Sequence, residues 1–571
     1  MVRLNDEVEA LLHEYSDLIL LTGGDAFRAR SYEKAARAVG GYHEDLARLD
    51  AKGLLEIPNV GKSIAEKITE QLTTGRIGAL EQLRAKVPDG LREIMAIPTV
   101  GPKKAALIHR ELGVSTVAEL VEAASSDRLN DLRGLGERTA ENILHGIEQL
   151  RQNSGRTLLN AATELAESLV GELSRVRGCV RCGYAGSLRR MRETVGDLDI
   201  LAAAEDSSAL MAAITDHPDT AEVLVHGSTK TSIRTSGGLQ VDLRVVRPED
   251  WGAALVYFTG SKAHNIKLRA RAVKAGLKLS EYGLFQVESG EKLVSRTEEE
   301  VYEALGLPWI PPTLREDRGE IEAGLTGELP QLVTERDIRG DLHTHTDLTD
   351  GLAPLEEMLA AAGERGYAYY AVTDHAPNLY MQRMTESKML AQREQLRALG
   401  MRFGRMHLLH GTELNIDQDG GVDWPAEFLA GFDLCVASIH SHFRADREQQ
   451  TRRLIRACEN PHVQIIGHPT TRQLGHRPAI DVDLDAVYAA CARTGTALEV
   501  NSSPERLDLG DEQILAARRH GVRFAVNTDA HSIPHLANFR YGVGTAQRGW
   551  LTKDEVINTW PLTRLRRFLR P

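Results

Sequence analysis

Apolar and polar residues alternate in four different ways along this chain, and each pattern predicts a different structure. Residues 1 to about 150 keep helical spacing throughout, with short loops and no long alternating run. From 156 to 174, Leu158, Leu159, Ala162, Leu165, Ala166, Leu169 and Leu173 recur on one side, the buried stripe of an amphipathic helix. Short strands are expected next at Val180–Ala185, Asp197–Ala203, Ala221–Val225 and Leu239–Val246, giving a mixed α+β sheet domain. A proline-rich, charged passage from Pro308 to Arg339 reads as a linker. Beyond it, apolar strands alternate with helical stretches, as in a parallel α/β sheet or barrel.

At 571 residues the chain is long enough for several domains, each with its own core. Its 42% apolar and 26% charged residues are ordinary for a globular protein. No segment reaches the roughly 18 apolar residues of a membrane span. The N-terminus is acidic and amphipathic and lacks a leader pattern. Five cysteines give no disulfide framework, and Cys179 and Cys182 form a lone CxxC without a second pair. A cytoplasmic, nucleoid-associated monomer with no membrane contact is the expectation. The net charge of −12 argues against indiscriminate binding to nucleic acid by the whole surface. Charge is nevertheless local: residues 260–280 hold six Lys or Arg and no acid, and thirteen of the twenty histidines follow residue 340.

One device recurs in the helical part, as IPNVGKSIAEKI (57–68), IPTVGPKKAALI (97–108) and LRGLGERTAENIL (132–144). Each sets a tight glycine turn before a helix, so that backbone N–H groups at the helix start face outward, where a phosphate can dock. The device resembles the helix-hairpin-helix DNA-backbone motif. That likeness implies contacts from Val60, Gly61, Lys62, Val100, Gly101, Lys103, Gly134 and Gly136.

The most informative stretch is GSLRRMRETVGDLDI (186–200). Residues i and i+2 of a strand share a face, so Asp197 and Asp199 project together. Adjacent carboxylates repel unless cations lie between them, and divalent metal is the usual remedy. The Gly-Ser turn and the arginines after it suit a triphosphate. Asp242, in LQVDLRVV, is the candidate third carboxylate, because a neighbouring strand could bring it opposite the other two. Two-metal nucleotidyl transfer fits this set.

Here the chain resembles the family X DNA polymerases, over roughly residues 1–315. The likeness implies that Gly186, Ser187 and Arg190 hold the β- and γ-phosphates of a dNTP, and that Asp197, Asp199 and Asp242 bind two Mg²⁺ or Mn²⁺ ions. It also implies, in YFTGSKAHNIKLR (257–269), that Tyr257, Phe258 and Gly260 lie against the deoxyribose, with Asn265 and Arg269 reaching toward base and template. The same basic helix offers Lys262 and Lys267 to a DNA backbone. Gln240 departs from the family, whose well-studied members carry an arginine two residues before the third aspartate; this removes a charge neighbour from Asp242, so nucleotide-triggered organisation of the site is expected to differ. Lys67 falls where the family's lyase lysine lies. Ser63 and Arg28 replace two lysines that accompany it in animal members, which leaves a phosphate contact as the safer role.

A second constellation follows in DLHTHTDLTDG (341–351), where His343 and His345 share a strand face and Asp350 sits in the next loop. His375, Glu413, His440, His468, Asp529 and His531 then fall in or after apolar strands, whose C-terminal ends converge on one rim in an α/β barrel. Nine such residues imply a multinuclear site, and mixed N and O ligands suit Mn²⁺, Zn²⁺ or Fe²⁺. Residues 336–571 resemble the PHP (polymerase and histidinol phosphatase) domain, a distorted (βα)7-type barrel that binds up to three metals, and all nine ligand positions are filled. By that likeness Glu413 bridges two ions, while Asp350, His375 and His531 hold the third. Arg472 is a candidate phosphate clamp; His407, His410 and His442 are expected to be scaffold.

The expected organisation is a lyase-like helical domain (1–85), a fingers-like helical domain (86–153), an α+β palm (154–250), a thumb (251–315), a linker (316–335) and the PHP domain (336–571). The expected function is a DNA repair polymerase that fills short gaps, joined to a metal-dependent nuclease of 3′–5′ exonuclease or AP endonuclease type. The alternatives are a PHP hydrolase whose polymerase-like half is a DNA-binding platform, and a repair scaffold.

Overall fold

The computed structural model describes residues 4–569 apart from 43–44, 96, 98–99, 380–383 and, between 127 and 154, all but scattered positions. Most of the third helix-hairpin-helix segment, including Gly134 and Gly136, lies outside the described residues.

The amino part is helical where described. The helices Leu4–Leu21, Ala26–Gly40, Lys62–Thr74 and Gly101–Leu112 bury one apolar cluster that includes Leu12, Leu18, Val39, Ile68 and Ile108. Local chemistry sets the helix starts. Asp25 accepts from the Phe27 N–H at 2.9 Å, and Thr116 with Glu119 forms a capping box before Val117–Ser125.

The amphipathic helix Leu159–Leu173 packs its apolar side on a five-stranded sheet. The strand order is Arg181–Tyr184, Asp197–Ala203, Gln240–Val246, Lys230–Thr235 and Thr220–His226. Four of these match the expected strands. The Lys230–Thr235 strand (KTSIRT) escaped prediction because its polar residues carry no apolar alternation, although Thr231, Ser232 and Ile233 are buried. Two helices, Trp251–Thr259 and Lys262–Lys274, continue into a three-stranded antiparallel sheet and the helix Glu298–Ala304.

The passage 316–335 carries a helix, Glu320–Thr326, and buried charge. Glu320 is fully buried and lies 2.6 Å from His264 Nδ1, while the other ring nitrogen meets the Tyr302 hydroxyl at 2.9 Å. This segment is tied to the thumb by its side chains.

The carboxyl part is a seven-stranded parallel sheet in sequential order: Gly340–Asp341, Tyr369–Val372, His407–Asn415, Leu434–Ser438, Ile465–Ile466, Ala497–Asn501 and Phe524–Asn527. A parallel bridge between Thr344 and Ala530 joins the segments that follow the first and last strands. Two strands of only two residues make the barrel irregular. All the strands end on one side, which gathers their following loops into a common rim.

Candidate functional site

The parallel register of the palm strands pairs Asp199 with Asp242 and Asp197 with Gln240, which brings the three aspartates to one sheet edge. Burial comes first, and the charges of Asp197 and Asp242 add to it, in pushing the Asp199 carboxyl up to about 7. Such a carboxylate ionises readily only beside a cation. Asp242 behaves oppositely. Burial opposes its ionised form, but hydrogen bonds from Lys230 and Gln240 hold its carboxyl below the usual range. Lys230 Nζ is 2.7 Å from Asp242, and the Gln240 amide donates to it at 2.9 Å. The charge neighbour that Gln240 removes from Asp242 is thus replaced from another strand. Lys230, on the strand that prediction missed, supplies the charge.

Gly186 opens a one-turn helix beside this edge, at φ +60°, and a Cβ there would lie 2.2 Å from Asp199 Oδ2. Only glycine lets the phosphate-type turn approach the aspartates so closely. Ser187 stands half-buried in the same turn. Arg190 is engaged: its Nε meets Glu316 at 3.0 Å and one Nη donates to the Thr259 carbonyl at 2.6 Å.

Tyr257 and Phe258 pack edge to face at 5.1 Å, and Gly260 adopts φ +67°. Asn265 is 8% exposed and donates to the Tyr257 carbonyl at 2.7 Å, while Arg269 Nε donates to the Asn265 carbonyl at 3.3 Å. Lys262 is exposed at the start of its helix. Lys267 is not an unopposed cation as the acid-free sequence suggested: Asp317 and Glu322 approach it at 2.6 and 3.1 Å from the passage beyond the thumb.

In the helical part, Val60 N–H donates to the Ile57 carbonyl at 3.1 Å and Val100 N–H to that of Ile97 at 3.0 Å, an equivalent hydrogen bond in the first two turns. No side chain caps the helices that begin after Gly61 and Val100. Lys62 and Lys103 are exposed; Val60 and Val100 are buried and leave only backbone to a ligand. Lys67 Nζ donates to Ser63 Oγ at 3.2 Å and sits 5.6 and 5.7 Å from the rings of Tyr15 and Tyr32.

The barrel rim gathers the nine predicted ligand-type residues. Three groups have donor atoms within 4.8 Å of one another: His345, Asp350, His375 and His531; His343, His345 and Asp529; and His375, Glu413 and His440. Glu413 is 1% exposed and lies between the groups. Its Oε2 is 3.4 Å from His343, 3.6 Å from His345 and 2.9 Å from His375, and its Oε1 is 3.1 Å from His440 and 3.0 Å from His468. His343 Nε2, both ring nitrogens of His345, Asp350 Oδ1 and His375 Nδ1 are buried without a hydrogen bond. Buried donors that converge without hydrogen-bonding fit a metal centre. His468 and Asp529 hold positive φ values of 27° and 52°, backbone strain at the rim itself.

Electrostatics divides the imidazoles. Burial, with His531 and His375 alongside, lowers His345, and burial with Arg506 brings His468 to about 4. Burial also opposes protonation of His343, His375 and His531. There the carboxylates win: Glu499, Asp529 and Glu413 raise His343, Asp350 and Glu413 raise His375, and Asp350 brings His531 to about 9.

Residues that orient the ligands were missed from sequence. Glu499 accepts from His343 Nδ1 at 2.7 Å, Asn415 Oδ1 meets His440 Nδ1 at 2.8 Å, and Asn501 donates to Asp529 at 3.0 Å. A glutamate inside the apolar strand ALEVN was the available signal. Arg472 is corrected: it pairs with Glu193 of the palm at 2.7 Å and donates to the Arg506 and Leu507 carbonyls, a joint between domains. Arg506, 3.9 Å from Asp529, is the arginine beside the rim. His442 meets Gln418, His407 meets Arg566 and His410 meets Arg393, so none joins the cluster.

Four family models match the chain: a helix-hairpin-helix domain over residues 3–77, a SAM-like helix-hairpin-helix tandem over 91–149, a DNA polymerase beta thumb over 254–316 and a PHP domain over 341–503. DNA polymerase/3'-5' exonuclease PolX of Bacillus subtilis (strain 168) is 34% identical over 567 residues, which is 99% of this chain and 99% of that protein. DNA polymerase lambda of Rattus norvegicus is 26% identical over 343 residues, 55% of this chain and 56% of its own. A protein named "Probable phosphatase" from Thermoanaerobacter sp. (strain X514) is 30% identical over 231 residues, 38% of this chain and 89% of its own.

Proposed function

This chain belongs to the family X DNA polymerases that carry a C-terminal PHP domain, and from that premise we propose that it fills short gaps in DNA and processes DNA ends during repair. The observation that carries the polymerase reading is the register that sets Asp199 against Asp242 with Asp197 alongside. These carboxylates would hold two Mg²⁺ or Mn²⁺ ions, which lower the barrier to in-line attack by a DNA 3′-hydroxyl on a dNTP. The protein's own part is positioning. The Gly186 turn accepts the β- and γ-phosphates, with Ser187 and Arg190 alongside; Tyr257, Phe258 and Gly260 form the wall for the sugar. Asn265 and Arg269 face the base pair, and Lys230 keeps Asp242 ionised.

The helix starts after Gly61 and Val100, with Lys62 and Lys103, would hold the DNA backbone, and Lys262 extends that contact. Lys67 is assigned a phosphate contact; covalent trapping on an abasic-site duplex with borohydride tests the lyase alternative. At the barrel rim the nine His, Asp and Glu residues would hold up to three Mn²⁺, Zn²⁺ or Fe²⁺ ions, which activate water and stabilise charge on a phosphodiester. Glu499, Asn415 and Asn501 fix the ligand orientations. A 3′–5′ exonuclease is the preferred reading of this centre, since the full-length relative bears that name.

Extension and degradation of a gapped duplex by the full-length protein, with Mg²⁺ and Mn²⁺ compared, tests the whole proposal. If Asp242→Ala leaves extension unchanged, the polymerase half is a DNA-binding platform instead.

A further inference from the structure

The turn that faces the palm aspartates is gripped from behind by the barrel domain. Met191, at φ +56°, packs on Gly544 of the helix Phe539–Arg548, where a Cβ would meet the methionine Cε at 2.5 Å. Two residues on, Glu193 pairs with Arg472 at 2.7 Å. The strongest link is Arg548, whose side chain is 3% exposed. One Nη of Arg548 donates to the Arg190 carbonyl at 2.8 Å and to Glu316 Oε1 at 2.8 Å. The other reaches Asp511 at 2.5 Å, and Asp511 also pairs with Arg318 at 3.0 Å. Glu316 Oε1 is thus shared by Arg548 and by Arg190 Nε.

We propose that Arg548, a residue of the PHP domain, is a positioning residue for nucleotidyl transfer: it anchors the phosphate turn at the Arg190 carbonyl and, through Glu316, sets where the Arg190 guanidinium stands. The proposal rests on the reading of Asp197, Asp199 and Asp242 as the transfer centre. Its logic is a competition for one carboxylate. While Arg548 shares Glu316, Arg190 is held by half of that oxygen's charge-assisted bonding and can turn toward a triphosphate. Without Arg548, Glu316 binds Arg190 alone, the Arg190 carbonyl loses a donor, and the turn relaxes. Nucleotide affinity falls, whereas the aspartates that perform the step are untouched.

The test titrates dNTP against wild type, Arg548→Met and Arg548→Lys, as full-length proteins with Mg²⁺ on a one-nucleotide gap. The expected result for Arg548→Met is a KM for dNTP raised about tenfold with kcat within about threefold of wild type. Its nuclease rate stays unchanged, and Arg548→Lys recovers part of the KM. Adding Glu316→Gln to Arg548→Met should change KM by less than the product of the single effects. An unchanged KM in nuclease-active Arg548→Met overturns the proposal, and fully multiplicative effects overturn the route through Glu316. If Arg548→Met fails to fold, and so loses nuclease, Arg548→Lys decides on the same criterion of a raised or unchanged KM. A wild-type protein that extends no primer defeats the polymerase reading itself, before any variant is compared.

Discussion

The barrel rim interleaves three carboxylates, Asp350, Glu413 and Asp529, with six imidazoles, whereas the palm sets three carboxylates together with one lysine among them. Imidazoles, which can be neutral or cationic, crowd around buried carboxylates at little electrostatic cost. Carboxylates cannot, and the raised Asp199 registers the strain. The rim can therefore be assembled by the protein, with Glu499 and Asn415 fixing two of its rings and Asn501 holding Asp529. On the proposed reading the palm would be completed by the cations and phosphates of its substrates, with Lys230 as the charge already built into the protein.

Removing one carboxylate from each centre, Glu413 at the rim or Asp242 in the palm, separates them most strongly. Glu413→Ala should lower nuclease activity on the order of 1,000-fold and leave primer extension within about twofold, and Asp242→Ala should do the reverse. Gel assays on a gapped duplex read both. Glu499→Gln probes the difference in assembly: it frees the His343 ring and should cost about 10–100-fold in metal affinity at the rim, read by metal content after dialysis. Lys230→Met probes the palm. Asp242 loses its cation, and the Mg²⁺ concentration for half-maximal extension should rise about fivefold to tenfold.

The smallest effect concerns the joint between the two regions. Burial opposes ionisation of Asp511, but Arg548 and Arg318 outweigh it and hold the carboxyl at about 2. A depressed value stabilises the joint fully above the ordinary range near pH 4, and that stability is lost as pH falls through about 2. Asp511→Asn should flatten this dependence and cost about 1–2 kcal/mol at neutral pH, measured by denaturant unfolding.

Much of both centres was legible because their chemistry leaves marks in sequence. Period-two spacing placed Asp197 with Asp199, and apolar strands ending in His or Asp placed most of the rim. Residues whose role depends on pairing across the chain left no such mark. Lys230 lies in a strand with no apolar rhythm, and Glu316 and Arg548 are 232 residues apart in sequence. The charged passage after the thumb read as a linker because sequence does not reveal that Glu316, Arg318 and Glu320 each have a partner. Arg472 was misjudged for the same reason: its partner, Glu193, lies in another domain.

The most direct measurement is extension and degradation of the same gapped duplex by wild type, Asp242→Ala and Glu413→Ala, assayed side by side in Mg²⁺ and in Mn²⁺. Two independent centres predict that each variant loses one activity and keeps the other. Loss of both activities in either variant, or of neither, would contradict the assignment of the palm to synthesis and the rim to cleavage.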